Sequence, residues 1–62
     1  MFKFFEDYFN NPLVVKCEDV VGVRADNVTK GCTIILLSGG HKVQVRGTVF
    51  EVINELGLNT PE

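Results

Sequence analysis

Apolar and polar residues are arranged along the middle of the chain in a pattern that predicts a β-meander. Three six-residue segments, Val20–Ala25, Cys32–Leu37 and His41–Arg46, are rich in residues that favour strands. The last alternates strictly between polar and apolar residues, as a strand with one buried face does. Residues 13–17 predict an earlier strand, and the acidic pair that follows should break or bulge it.

The first residues are aromatic at a spacing that predicts a short helix. Phe2, Phe5 and Phe9 are three and four positions apart and share one face of a helix over residues 2–10. The residue before a proline is pushed out of the α region, so this helix should end at the Asn-Pro step of residues 11–12. Aromatic residues beside that face are typical of interfaces, which makes Phe4 and Tyr8 candidates for contact with a partner.

Residues 48–57 predict a capped C-terminal helix. Thr48 and Glu51 have the spacing of a capping box, and Gly57 suits the left-handed position that ends a helix. Apolar residues recur there every three or four positions, at Val49, Val52, Ile53 and Leu56. The expected fold class is therefore α+β: an N-terminal aromatic helix, an antiparallel meander of three to four strands, and a helix packed on one sheet face.

The expected organisation is a single domain over residues 1–62. It divides into an aromatic arm (1–11), a meander (13–46), a helix (48–57) and a tail (58–62). A hydrophobic fraction of 45% is typical of a folded chain. A core in a chain this short rarely supplies more than about 3–5 kcal/mol, so a second subunit is a common additional source of stability.

Strand register determines which side chains share a face. A two-residue turn at residues 39–40 would pair Ile34 with Val45, and the aliphatic face so formed should lie under the C-terminal helix. The opposite face would then carry apolar residues on neighbouring strands: Val20, Ile35 and Leu37. Such a face needs a cover. Three covers remain open: the aromatic helix, a second copy of the chain, or a different partner or ligand.

These patterns predict a non-enzymatic interaction protein that works as a homo-oligomer. The expected interface combines the second sheet face with the outlying aromatics, namely Phe4, Tyr8, Val20, Ile35, Leu37 and Gln44. A host or regulatory protein is the other class of partner considered. Size and type also fit a phage or bacterial accessory protein.

A small-ligand or nucleotide site is the alternative function. In the same register Arg24 and Arg46 flank Thr33, and two guanidiniums beside a hydroxyl can bind a phosphate or carboxylate. The competing interpretation is that both arginines extend over neighbouring aliphatic side chains with their charged ends in water.

Catalysis and metal binding have little support in the sequence. His41 follows two glycines in a turn and has no nucleophile at a recognisable spacing, so no catalytic residue, metal or cofactor is expected. Cys17 and Cys32 are fifteen positions apart and are expected to be reduced, which predicts a cytoplasmic protein.

Charge and hydropathy argue against nucleic acid and membrane partners. The net charge is −2 and the pI is near 5.2. A nucleic-acid site would need five cations on one side: Lys16, Arg24, Lys30, Lys42 and Arg46. The longest apolar run, residues 34–37, is far too short to span a bilayer, and the first nine residues do not resemble a signal peptide.

Residues 18–58 resemble the small flagellar or swarming-motility protein family. The resemblance lies in a run of residues ending in the helix: Thr33-Ile34-Ile35-Leu36, Gly39 or Gly40, Lys42, Val45, Glu51-Val52-Ile53 and Leu56. It implies a β-meander followed by a helix, and a small accessory binding protein without catalytic residues. The same stretch also looks like half of a LytTR DNA-binding domain, although that family's binding loops are not identifiable here.

Overall fold

The structure is a computed structural model that describes residues 1–58. Within these residues it forms two antiparallel sheets and an α-helix. The elements are β1 (Phe2–Glu6), β2 (Pro12–Lys16), β3 (Val20–Ala25), β4 (Cys32–Leu37), β5 (His41–Arg46) and α1 (Val49–Leu56). β1 pairs with β2, and β4 is the central strand of the sheet β3-β4-β5. The predicted α+β class, with a meander and a C-terminal helix, is confirmed.

The N-terminal segment is a strand, so the predicted aromatic helix is wrong. β1 and β2 form a hairpin in which Phe5 and Val15 are buried. Aromatic residues have high strand propensity, and alternation along β1 separates Phe5 from its exposed neighbours Phe2 and Phe4. Pairing with β2 buries one face of the segment, which the helical spacing alone could not reveal.

An aspartate organises the turn between β1 and β2. Asp7 Oδ1 accepts hydrogen bonds of 2.9 Å from the backbone N–H groups of Phe9 and Asn11. Asn10 has a φ of 65°, in the left-handed region that asparagine tolerates better than most residues. Asn11, where the helix was expected to end, therefore lies in a hairpin turn, and Pro12 begins β2.

The predicted caps of the C-terminal helix are confirmed. Thr48 Oγ1 accepts from the Glu51 N–H at 3.2 Å, and Glu51 Oε1 accepts from the Thr48 N–H at 2.9 Å. Gly57 has a φ of 75°, and its N–H donates to the Asn54 carbonyl at 3.1 Å. Both ends of α1 are thus specified by local sequence.

The β4–β5 register differs by one residue from the predicted one. Both turn glycines have positive φ, but Ser38 joins them in a three-residue loop. Ile35 therefore pairs with Val43, and Thr33 with Val45. A one-residue shift moves every side chain of a strand to the other face.

The core lies between the three-stranded sheet, the hairpin and α1. Ile35 is completely buried and belongs to a cluster of buried residues drawn from five elements: Phe5, Val15, Ile35, Val45, Val52 and Leu56. Ile35 and Val45 project from the same face of the sheet, so this face carries α1. A bulge between Val20 and Gly22 leaves Val21 exposed at the β3 edge.

Residues 59–62 of the predicted tail lie outside the described residues. Across residues 1–58, the structure contains no helix with the length and hydropathy needed to cross a membrane.

Candidate interaction surfaces

The residues of the predicted anion site do not come together. Thr33 is fully buried on the core face, and its hydroxyl donates to the Gly47 carbonyl at 2.8 Å. Arg24 pairs with Ile34, and Arg46 pairs with Cys32, so both arginines project from the opposite face. The predicted placement is wrong because the β4 register is shifted, and the hydroxyl cannot reach a ligand beside these guanidiniums.

Half of the predicted interface faces the core. Ile35 is part of the buried cluster, and Val20 and Leu37 are half-buried against it. Their predicted position on an open face is wrong. The shifted β4–β5 register turns Ile35 and Leu37 to the core, and the bulge in β3 puts Val20 opposite Leu37 on the same side. Phe4 and Tyr8 are exposed on the hairpin, although on a strand and a turn instead of a helix. Gln44 does lie on the face opposite the core.

The outward side of the hairpin is the most apolar exposed surface. At its centre Phe4 lies directly opposite Val14, and Phe2 is two positions before Phe4 on the same face of β1. Phe4, Val14 and Phe2 are 59%, 61% and 65% exposed, respectively. Lys16 lies opposite Phe2 at one end, and Glu6 lies opposite Pro12 at the other. We call this surface the hairpin face: Phe2, Phe4, Glu6, Pro12, Val14 and Lys16.

Arg46 links the hairpin turn to the three-stranded sheet. Its Nη2 donates to the Tyr8 carbonyl at 3.0 Å, and its guanidinium carbon lies 5.8 Å from the centroid of the Tyr8 ring. This geometry is a cation–π contact. Hydrogen bonds from Asn11 are the largest cause of a lowered pKa for the Asp7 carboxyl, and the nearby positive charge of Arg46 lowers this pKa further. The arginine therefore has a structural role at the junction of the two sheets.

The face of the three-stranded sheet that points away from α1 mixes aliphatic and cationic side chains. Ile34 and Leu36 of β4 are half-buried at its centre. Cationic and amide side chains surround them, and we call the whole surface the basic sheet face: Gly22, Arg24, Ile34, Leu36, Lys42, Gln44 and Arg46.

A hydrogen bond crosses the basic sheet face near its end. Gln44 Nε2 donates to Asp26 Oδ2 at 2.6 Å, so a side chain of β5 meets the residue that follows β3. Asp26 Oδ1 also accepts from the backbone N–H groups of Val28 and Thr29. These bonds, the one from Gln44 first, hold the pKa of the Asp26 carboxyl below its ordinary value. The carboxylate is thus used to fix the β3–β4 loop.

The remaining candidates for chemistry are dispersed. His41 is exposed at the start of β5, Cys17 is half-buried against the core and Cys32 is buried, with both thiols free. Residues 1–58 contain no group of three or more histidine, cysteine or acidic side chains placed to hold a metal ion. His41, Cys17 and Cys32 thus lie on different parts of the fold.

Four of the apolar residues at the centres of these surfaces were absent from the predicted sites. Phe2 and Val14 belong to the hairpin face, and Ile34 and Leu36 belong to the basic sheet face. A signal for the first pair was present, since the strand propensity of the aromatic residues favours β1 over a helix. β4 is apolar on both sides, so its sequence does not distinguish the second pair from the core residues.

Comparison of this chain with protein-family models, with curated proteins and with solved structures found no match.

Proposed function

We propose that this chain is a small non-enzymatic interaction protein that forms a homodimer through its hairpin face. The observation that carries the proposal is the exposure of Phe2, Phe4 and Val14 side by side on one two-stranded sheet. Contiguous exposed apolar surface of this kind marks interaction sites in soluble proteins. Aromatic residues are enriched in such sites because they combine large area with few rotatable bonds.

The size of the hairpin face suits a weak dimer. A whole aromatic side chain buries about 150–250 Å², so the exposed parts of Phe2 and Phe4 together offer roughly 200–300 Å². A standard interface buries about 800 Å² on each partner, so the neighbouring side chains must contribute as well. We expect a dissociation constant on the order of 10–100 µM.

The charges at the ends of the hairpin face favour one orientation of the second copy. A two-fold axis perpendicular to the strands places Phe4 on Phe4 and brings Lys16 of the second copy beside Glu6. An axis parallel to the strands would instead bring the two Lys16 side chains together, and the two Glu6 side chains together. The antiparallel arrangement therefore forms two symmetric ion pairs around an apolar centre.

Concentration-dependent mass measured by light scattering tests the dimer. Wild-type protein should pass from monomer to dimer between about 10 µM and 500 µM. Phe4→Thr, which keeps a strand-forming residue, should remain monomeric throughout. Phe50→Thr removes a more exposed aromatic side chain from α1 and should dimerise like wild type. A wild-type monomer at 500 µM, or equal effects of the two variants, would show the hairpin face to be the wrong surface.

A charge exchange tests the orientation separately. Glu6→Lys should weaken the dimer because four lysines then meet at the two ends. Adding Lys16→Glu to that variant should restore the wild-type constant, since the pairs are re-formed with opposite sign. If the double variant dimerises no better than the single one, the antiparallel arrangement is incorrect.

The proposal also includes a cellular location and an accessory role. A cytoplasmic location is supported by the two free cysteines. The resemblance of residues 18–58 to the flagellar or swarming-motility family is consistent with an accessory binding role. Reactivity of both thiols in protein isolated from cells and then unfolded, so that the buried Cys32 is accessible, would support the location, and a thiol blocked by oxidation would argue against it.

A further inference from the structure

The basic sheet face combines an aliphatic centre with cations on either side. In one row Arg24 of β3 lies beside Ile34, and in the next Lys42 of β5 lies beside Leu36. Arg24 and Lys42 are exposed, and the two aliphatic side chains between them are half-buried. α1 packs on the other side of the sheet, and the hairpin turn meets this face at Arg46, through the Tyr8 carbonyl.

The charge of this face is opposite to that of the whole chain. Three cations against the single carboxylate of Asp26 leave it at +2, whereas the formal net charge of the chain is −2. Arg46 is already engaged by Tyr8, so Arg24 and Lys42 are the two cations available to a partner. Acidic residues lie on other elements instead, including Glu51 and Glu55 of α1.

We propose that the basic sheet face binds an acidic amphipathic helix of a partner protein. Strands lie about 4.8 Å apart and rise about 3.4 Å per residue, which separates Arg24 and Lys42 by roughly 12 Å along the diagonal of the face. Residues i and i+7 of a helix are about 10.5 Å apart on one side. Two acidic residues at that spacing meet both cations, while apolar residues at i+3 and i+4 rest on Ile34 and Leu36.

The chemistry of the face favours a peptide over a nucleic acid. Its side chains are aliphatic, amide and cationic, whereas single-stranded nucleic acids bind sheet faces through aromatic side chains on which bases stack. The ring of Tyr8, which meets this face at its edge, is already in contact with Arg46. A net-negative chain also lacks the general basicity that phosphate binding uses.

Fluorescence anisotropy with a synthetic helix tests the proposal. The probe is a labelled helix-forming peptide of about 18 residues, with Glu at i and i+7 and Leu at i+3 and i+4. We expect saturable binding that Lys42→Glu and Arg24→Glu each weaken roughly five- to tenfold. Lys30→Glu reverses an exposed charge in the β3–β4 loop and should leave binding unchanged. The same peptide with Lys in place of Glu should not bind.

The other outcomes overturn the proposal. No binding at millimolar protein, or equal weakening by Lys30→Glu, would show that the face is not a docking site for such a helix. Tighter binding of a 20-nucleotide single strand, or of vesicles containing anionic phospholipid, would assign the face to those ligands. Phe4→Thr should leave peptide binding unchanged and Lys42→Glu should leave dimerisation unchanged, so this proposal and the homodimer can fail separately.

Discussion

Thr33 shows how a single buried hydroxyl contributes to the fold. It is the only polar side chain in residues 1–58 that is classed as buried, and its hydroxyl donates to the Gly47 carbonyl. Thr33→Val keeps the shape but removes the donor, so we expect the free energy of unfolding to fall by about 1 kcal/mol. Urea denaturation measures the change. Thr29→Val, at a hydroxyl without a hydrogen bond in the described residues, is the matched control and should change stability by less than about 0.5 kcal/mol.

Arg46 contributes at the residue scale through geometry that lysine cannot reproduce. Its guanidinium both donates to the Tyr8 carbonyl and lies over the Tyr8 ring. Arg46→Lys should therefore lower the free energy of unfolding by about 0.5–1 kcal/mol and speed amide exchange in the turn from Asp7 to Asn11. Arg24→Lys is the comparison, because Arg24 lies away from that turn. Similar exchange rates in both variants would contradict the structural role of Arg46.

At the scale of single elements, α1 is held on the sheet by two buried side chains, those of Val52 and Leu56. Val52 is 1% exposed and contacts the sheet, whereas Phe50 on the same helix is 77% exposed. Val52→Ala removes two buried methyl groups and should lower the free energy of unfolding by about 2 kcal/mol. Phe50→Ala removes a larger side chain but should change stability by less than about 0.5 kcal/mol. The prediction fails if thermal denaturation shows Phe50→Ala to be the more damaging change.

The same scale explains which elements the sequence could predict. β5 alternates polar and apolar residues, so the side of the sheet that Val43 and Val45 occupy followed from the pattern. α1 has local caps and was also predicted correctly. β4 is apolar on both faces, so the sequence could set its register only through the length of the β4–β5 loop. One extra loop residue, Ser38, shifted the register by one and exchanged the two faces of β4.

The error in β4 carried over to the predicted sites. Ile35 was predicted to point away from the core, but Ile34 does so. The same shift turns Thr33 away from the predicted anion site and puts Leu36 on the open face. The idea that β4 is apolar on both sides still describes the molecule, since Ile34 and Leu36 lie on the basic sheet face. The helical prediction for β1 failed for another reason, because the spacing of aromatic residues within one segment does not encode the pairing of that segment with β2.

At the scale of the whole molecule, the hairpin and the three-stranded sheet share one small core. Phe5 and Val15 supply the hairpin's part, and Ile35 and Val45 supply the sheet's part. A chain of this size has a stability of only about 3–5 kcal/mol from such a core. Hydrogen bonds to the carboxylates that fix its turns and helix cap are therefore important for the stability of the whole domain.

Those carboxylates predict a loss of stability in acid. Hydrogen bonds from Asn11, Gln44 and the Thr48 N–H lower the pKa values of Asp7, Asp26 and Glu51, respectively, below the ordinary values of 3.8 for aspartate and 4.5 for glutamate. The folded state thus holds its protons less tightly than the unfolded state. The stabilisation is complete above the ordinary pKa values and is lost as the pH falls through the lowered ones. The urea midpoint should be constant from pH 7 to about pH 5 and fall between about pH 5 and pH 3.

Substitution of one of these carboxylates tests its share of the acid effect. Asp26→Asn removes a titrating group whose charged form accepts three hydrogen bonds, so its urea midpoint should fall less steeply between about pH 5 and pH 3. Glu55→Gln removes an exposed carboxylate of α1 and should retain the wild-type slope. Equal slopes for wild type and Asp26→Asn would mean that the bond between Gln44 and Asp26 does not depend on the charge. Protonation of Asp26 would then not be a cause of the loss of stability in acid.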